Sequence, residues 1–156
     1  MKEEDYSTEN LKKFKYIDCV QKETTRFFGP ANGVFMRKCI NDHILGNVPI
    51  HKGTLAGNQP IGIHYAEKYY QNPTVFNPDR WLEECKELSP EMLVGFSAGP
   101  RTCIGKHLAL LESKIGLIKF MKRYELELPV KEIELSLKLI YQPKPFKSKL
   151  RPFKHQ

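Results

Sequence analysis

The chain has only four cysteines, Cys19, Cys39, Cys85 and Cys103, and none belongs to a Cys-x-x-Cys pair, which argues against a structural zinc. Their spacing outlines no disulfide framework, so a reducing setting is expected. No run approaches the ~18 consecutive apolar residues of a membrane span. The polar, partly acidic start Met1-Lys2-Glu3-Glu4-Asp5 does not read as a signal peptide. Internal repeats and low-complexity tracts are missing too, which excludes a repeat array. From Pro143 onward acid is missing: Lys144, Lys147, Lys149, Arg151 and Lys154 face no Asp or Glu, and a solvated basic end is expected there.

What is present suffices for one ordinary domain: 156 residues, 40% hydrophobic and 28% charged. The net charge of +7 gives a basic surface suited to nucleic acid, anionic lipid or an acidic protein. No helix–turn–helix, zinc-finger or aromatic–basic RNA pattern accompanies the charge, which leaves nucleic acid with charge as its only support.

Residues 1–10 are polar and expected to fray. From Lys12 to Phe28 the apolar residues Phe14, Ile17, Val20 and Phe27 recur at helical spacing, and Gly29-Pro30 ends the helix. Glu23 and Arg26, three apart, share a face of it, where a surface pair is worth a few tenths of a kcal/mol. Val34-Phe35-Met36 is short and apolar. His43–Ile50 and Thr54–Ile61 are predicted to pair as a hairpin around Lys52-Gly53. A short helix is expected within Ile61–Tyr70, with His64 a structural residue. Two prolines in Asn72–Trp81 forbid a regular helix or a central strand, while its aromatic residues pack it down. Leu82–Leu93 is a polar connector. Leu126–Tyr141 alternates loosely and predicts two strands separated by Pro129–Glu132.

The chemistry concentrates in Phe96–Ala109, a turn-rich loop marked by Gly99, Pro100 and Gly105 that runs into a helix. Ile104, Leu108, Leu111, Ile115 and Ile118 form one apolar face of that helix, which reaches about Tyr124. Cys103 stands at its start, where free amides and the dipole favour a thiolate. A thiolate is a strong ligand for haem iron. Around such a ligand Gly99 and Gly105 let the backbone approach a flat macrocycle, Phe96 shields the sulfur, and Arg101 suits a propionate. Taken singly, Cys103 reads better as a buried free cysteine near an ordinary helix start.

The whole stretch resembles the haem-binding signature of the cytochrome P-450 family, the haem-thiolate monooxygenases. In the pattern Phe-x-x-Gly-x-Arg-x-Cys-x-Gly-x-x-x-Ala, the residues Phe96, Gly99, Arg101, Cys103, Gly105 and Ala109 fill every fixed position. Lys22–Arg26 is similar to the family's Glu-x-x-Arg helix, and Asn72–Trp81 to its meander with a Phe-x-Pro-x-Arg-aromatic core. The resemblance implies a buried triad of Glu23, Arg26 and Arg80, with Arg37 near a haem propionate. Glu112 lies at the family's usual acidic position. His51 departs from a common Pro before Lys-Gly-Thr.

The resemblance implies a mainly α fold with small β-sheets (α+β), residues 1–156 being the C-terminal haem-binding portion of an incomplete P-450 domain. It implies haem (iron protoporphyrin IX) held by the Cys103 thiolate, and activation of O₂ with insertion of one oxygen atom into an apolar small-molecule substrate. Electrons would come from an NADPH-dependent reductase or other donor, docked on the basic Cys side at Lys106 and its neighbours. The place implied is the cytosolic side of the endoplasmic reticulum membrane, reached through an anchor outside these residues. The family's distal acid–alcohol pair has no counterpart here, so no catalytic residue is assigned. A non-catalytic relic binding haem weakly or not at all is the alternative for the isolated chain, and a basic nucleic-acid binder is the third.

Overall fold

The computed structural model describes residues 6–29, 35–82, 92–127, 134–137 and 141–153. One helical turn, α1 (Thr8–Leu11), precedes α2 (Lys15–Phe28), so part of the stretch expected to fray is helical. The helix predicted from Lys12 starts three residues later because Lys12-Lys13 form a turn, closed by Phe14 N–H donating to Leu11 O. Its end at Gly29 agrees with the sequence; Pro30 and Val34 lie outside the described residues. The buried residues of α2 are Cys19, Gln21, Glu23 and Arg26, while Phe14, Ile17, Val20 and Phe27 are only half-buried. The polar side of this helix is thus the one turned inward.

The β region differs from its prediction in pairing. Strand β1 (Phe35–Lys38) pairs antiparallel with β4 (Leu55–Asn58), from Phe35 opposite Asn58 to Lys38 opposite Leu55. Inside that ladder β2 (His43–Leu45) pairs with β3 (Val48–Ile50). The stretch His43–Ile50 therefore folds on itself instead of on Thr54–Ile61. Gly46-Asn47 makes the two-residue turn, and Gly46 has φ +61° while Asn47 does not enter the left-handed region. A glycine in the first central position gives a turn whose twist matches the flanking strands. Lys52-Gly53 makes the return into β4, with Gly53 N–H donating to Cys39 O and Cys39 N–H to Thr54 O, both at 2.8 Å.

Pro60 opens a helix of five residues, α3 (Pro60–His64), shorter than the span allowed for it; Tyr69 and Tyr70 then turn back by donating to Ala66 O. The proline-rich stretch is irregular up to a 3-10 turn at Pro78–Trp81, whose first amide, Asp79 N–H, is capped by the Asn77 side chain at 3.0 Å. Of the polar connector, residues 83–91 lie outside the described set.

Helix α4 (Lys106–Arg123) runs straight into β5 (Tyr124–Glu127). The two strands predicted in Leu126–Tyr141 exist in part but do not pair with each other. β5 pairs with β8 (Lys149–Pro152), and β6 (Leu135–Leu137) pairs with β7 (Tyr141–Pro143). Pro129–Glu132 lies outside the described residues. The basic end is consequently not a free tail: Arg151 stands opposite Glu125 and bonds Glu127 at 2.6 Å, so the acids of β5 select the cations of β8.

The centre of the described structure is polar. Its largest fully buried side chains are Arg26, Tyr70, His64, Glu23 and Pro60. The apolar face expected of α4 is not a core face here. Ile104 is fully exposed, Leu108 is 67% and Leu111 42% exposed, Ile115 is half-buried, and only Ile118 is buried. Lys114 is buried instead, bonded to Asp18 of α2 at 2.5 Å. The reason lies in what covers α4 among the described residues. Leu117 and Met121 add apolar surface on further sides, and α2 offers α4 one narrow polar seam.

Candidate cofactor site

The loop before α4 closes on itself. Cys103 N–H donates to Phe96 O at 2.9 Å, Ser97 N–H to Val94 O at 2.9 Å, and Thr102 N–H to Gly99 O at 3.0 Å. The closure puts two residues in the left-handed region, Ser97 at φ +63° and Gly99 at φ +69°, and the second is the glycine that this region favours. At its far end Lys106 N–H donates to Cys103 O at 3.2 Å and starts α4. Cys103 is free and exposed. A Cβ on Gly105 would stand 3.9 Å from its Sγ, so glycine keeps that side of the sulfur bare. Phe96 is half-buried; Arg101 and Ala109 are exposed. Arg37 is placed on β1, exposed, donating to Met36 O at 2.9 Å.

These residues fit a haem held through one sulfur. The thiol is open, and Ile104, Leu108 and Leu111 beside it in the chain present bare apolar surface. Among the described residues no three His, Cys, Asp or Glu side chains gather to hold a metal ion, so an iron here would need the four nitrogens of a macrocycle in addition to the sulfur.

The structure brings Glu23, Arg26 and Arg80 together. Glu23 Oε1 accepts from Arg26 Nη2 at 2.7 Å, from Asn77 N–H at 2.9 Å and from Arg80 Nε at 3.2 Å. Glu23 Oε2 accepts from Arg26 Nε at 3.0 Å and from Trp81 Nε1 at 2.8 Å. The guanidinium groups then reach the irregular stretch. Arg26 Nη1 donates to the carbonyls of His64 and Pro73 at 2.7 and 2.8 Å, and Arg80 to those of Gln71 and Val75 at 2.9 and 3.2 Å. One carboxylate and two arginines thereby fix the course of residues 71–81, which no strand ladder holds. Burial pushes the Glu23 carboxyl up, but Arg26, the Asn77 amide and the Trp81 indole outweigh it and hold the group below its ordinary range.

His64 is fully buried behind this cluster, and among the described residues neither ring nitrogen has a hydrogen-bond partner, nor does the Tyr70 hydroxyl. Burial, then the nearby Arg26 charge, lowers the His64 pKa to about 4, and burial raises that of Tyr70 to about 12. Sequence reasoning placed His64 as structural and gave Asn77 and Trp81 no role in the triad. Trp81 was visible in the motif, but the reach of its N–H to Glu23 depends on the 3-10 turn that it ends. Gly95 and Gln21 carried no recognisable signal.

Residues 2–150 match the family model Cytochrome P450. The chain is 39% identical over 130 residues to cytochrome P450 4V2 of Mus musculus, covering 83% of this chain and 25% of that one. To the Homo sapiens protein of that name it is 37% identical over 140 residues, covering 88% and 26%. Among solved structures, the retinoic acid bound cyanobacterial CYP120A1 superposes with a TM-score of 0.83 at 29% identity, covering 94% of this chain and 34% of that one. The cytochrome P450DA heme domain gives 0.81 at 23% identity, with 94% and 33% covered, a likeness of fold alone. The α+β fold of helices and small sheets is shared with these solved structures. The chain belongs to the cytochrome P450 family. It spans about a quarter of the length of the curated relatives it matches.

Proposed function

We propose that this chain is the C-terminal haem-carrying portion, residues 1–156, of a haem-thiolate monooxygenase, with the Cys103 sulfur as axial ligand of the iron. The observation that carries the reading is the exposed Cys103 at the end of a closed loop, in register with Phe96, Gly99, Arg101, Gly105 and Ala109. When bound, the haem supplies activation of O₂ and insertion of one oxygen atom into an apolar organic substrate, with electrons from an NADPH-dependent reductase or other donor. The chain's own work is different. Cys103 gives the thiolate, Gly99 and Gly105 leave room for a flat ring, and Phe96 limits water at the sulfur. Arg101 and Arg37 offer charge-assisted bonds to propionates. Glu23, Arg26 and Arg80 hold the irregular segment in place.

Among the described residues no helix is long and apolar enough to cross a membrane. The likeness to P450 4V2 proteins supports a place on the cytosolic side of the endoplasmic reticulum membrane for the protein as a whole. An acidic reductase surface, and not nucleic acid, is the partner proposed for the basic side. A second reading has its own observation. Ile104, Leu108 and Leu111 are exposed, so the chain by itself leaves a haem site open to water and would hold haem weakly, without turnover.

The test is spectroscopic. Haem is added to the chain, reduced, and exposed to carbon monoxide. The red-shifted Soret band of thiolate ligation is expected, and Cys103→Ala is expected to abolish it. A band unchanged in that variant would remove Cys103 as ligand.

A further inference from the structure

We propose that α2 is the element that positions the ligand loop, through Thr25 against Gly95 at one end of the loop and Gln21 against α4 at the other. The proposal rests on the reading of Cys103 as haem ligand and names the residues that place its sulfur. Thr25 Oγ1 donates to Gln21 O at 2.8 Å, which fixes the rotamer of this β-branched side chain. Its methyl then lies against Gly95, where an added Cβ would collide with it. Gly95 directly precedes Phe96, whose carbonyl accepts from the Cys103 amide at 2.9 Å. One rigid path therefore runs from α2 through Gly95 and Phe96 to Cys103.

A second path reaches the other end. Gln21, buried, donates through Nε2 to Leu110 O at 2.8 Å and to Ser113 Oγ, and Ser113 Oγ donates to Ala109 O at 2.7 Å. These acceptors sit in the first two turns of α4, which begins three residues after Cys103. Asp18 bonds Lys114 one turn further on. Asp18, Gln21 and Thr25 fall on one face of α2 by their three- and four-residue spacing. Glu23 and Arg26 on the other side hold residues 71–81. Helix α2 is clamped on one side by the ion cluster and fixes the ligand loop with the other. Gln21, Thr25 and Gly95 are positioning residues that touch no reacting atom.

The test is a two-residue cycle on the full chain: Gly95→Ala, Thr25→Ser and both together. Thr25→Ser keeps the hydroxyl bonded to Gln21 and drops the methyl. Two quantities are measured: hydrogen exchange of the Cys103 amide without haem, and the fraction of reduced carbon monoxide complex with the red-shifted Soret band. The thermal midpoint serves as a control on the fold. Gly95→Ala is expected to speed Cys103 exchange about tenfold, the scale of one methyl forced into a close contact, and to lower the red-shifted fraction. Thr25→Ser is expected to change little, and the double variant to return both quantities to the parent values. Gly95→Ala without effect on Cys103 exchange, or a double variant no better than Gly95→Ala, would overturn the proposal. A parent chain with no red-shifted band but the expected exchange cycle would sink the ligand reading and leave the coupling standing.

Discussion

Glu23 meets three donors on Oε1 and two on Oε2 with its side chain fully buried. A buried carboxylate is tolerable only when so compensated, and its loss strands two guanidinium charges. Glu23→Gln is expected to cost about 3–5 kcal/mol in a denaturant titration and to abolish haem uptake. A fully stable variant would show that the arginines do not need the charge. His64 makes the opposite case, a buried base kept neutral. In the unfolded chain it takes its proton near pH 6.5 and in the fold only near pH 4, so between these values the unfolded state binds more protons. Stability is therefore complete above pH 6.5 and falls as pH drops toward 4, by roughly 3 kcal/mol in all. Arg26, Glu23 and Tyr70 are the ionisable groups around it, and Arg26 opposes a second cation. His64→Leu is expected to flatten that window, while the acid loss that begins near pH 4.5, where Glu23 takes its proton in the unfolded chain, persists. A pH profile unaltered by the substitution would place the sensitivity elsewhere.

Between residue and molecule, the elements divide into those that serve the loop and those that do not. α2 touches both the ion cluster and the loop. The inner hairpin β2–β3 lies on neither path, and its residues Ile44, Leu45 and Val48 are exposed. Gly46→Ala places a side chain at φ +61° and is expected to cost roughly 1 kcal/mol, confined to that hairpin. Faster amide exchange within β2–β3, with haem uptake unchanged, is the outcome to look for. Sequence signals were strongest where neighbours in the chain settle the structure. The end of α2 at Gly29 and the irregular course of residues 72–77 followed from glycine and proline, whereas the helix expected to start at Cys103 begins three residues later, at Lys106, because the closed loop runs on through Gly105. They were weakest for pairing. Gly46-Asn47 and Lys52-Gly53 both turn the chain, and only the pairing of β2 with β3 and of β1 with β4 shows which strands each one joins.

For the molecule as a whole, charge and apolar surface are the properties left to function. The docking face proposed for an acidic reductase includes Lys106 at the head of α4. Lys106→Glu is expected to slow association several-fold at low salt, the difference vanishing as salt screens it; an equal rate at low salt would exclude that face. The sequence by itself determined the spacing around Cys103, the place of the glycines in its loop and the Glu23–Arg26 pair on one helix face, all short-range matters. Tertiary structure decided the rest. It turned the polar side of α2 inward, joined β5 to β8, exposed Ile104 and Leu108, and set Gly95 against Thr25. Such choices depend on register and on which surfaces meet across long loops, and local pattern fixes neither.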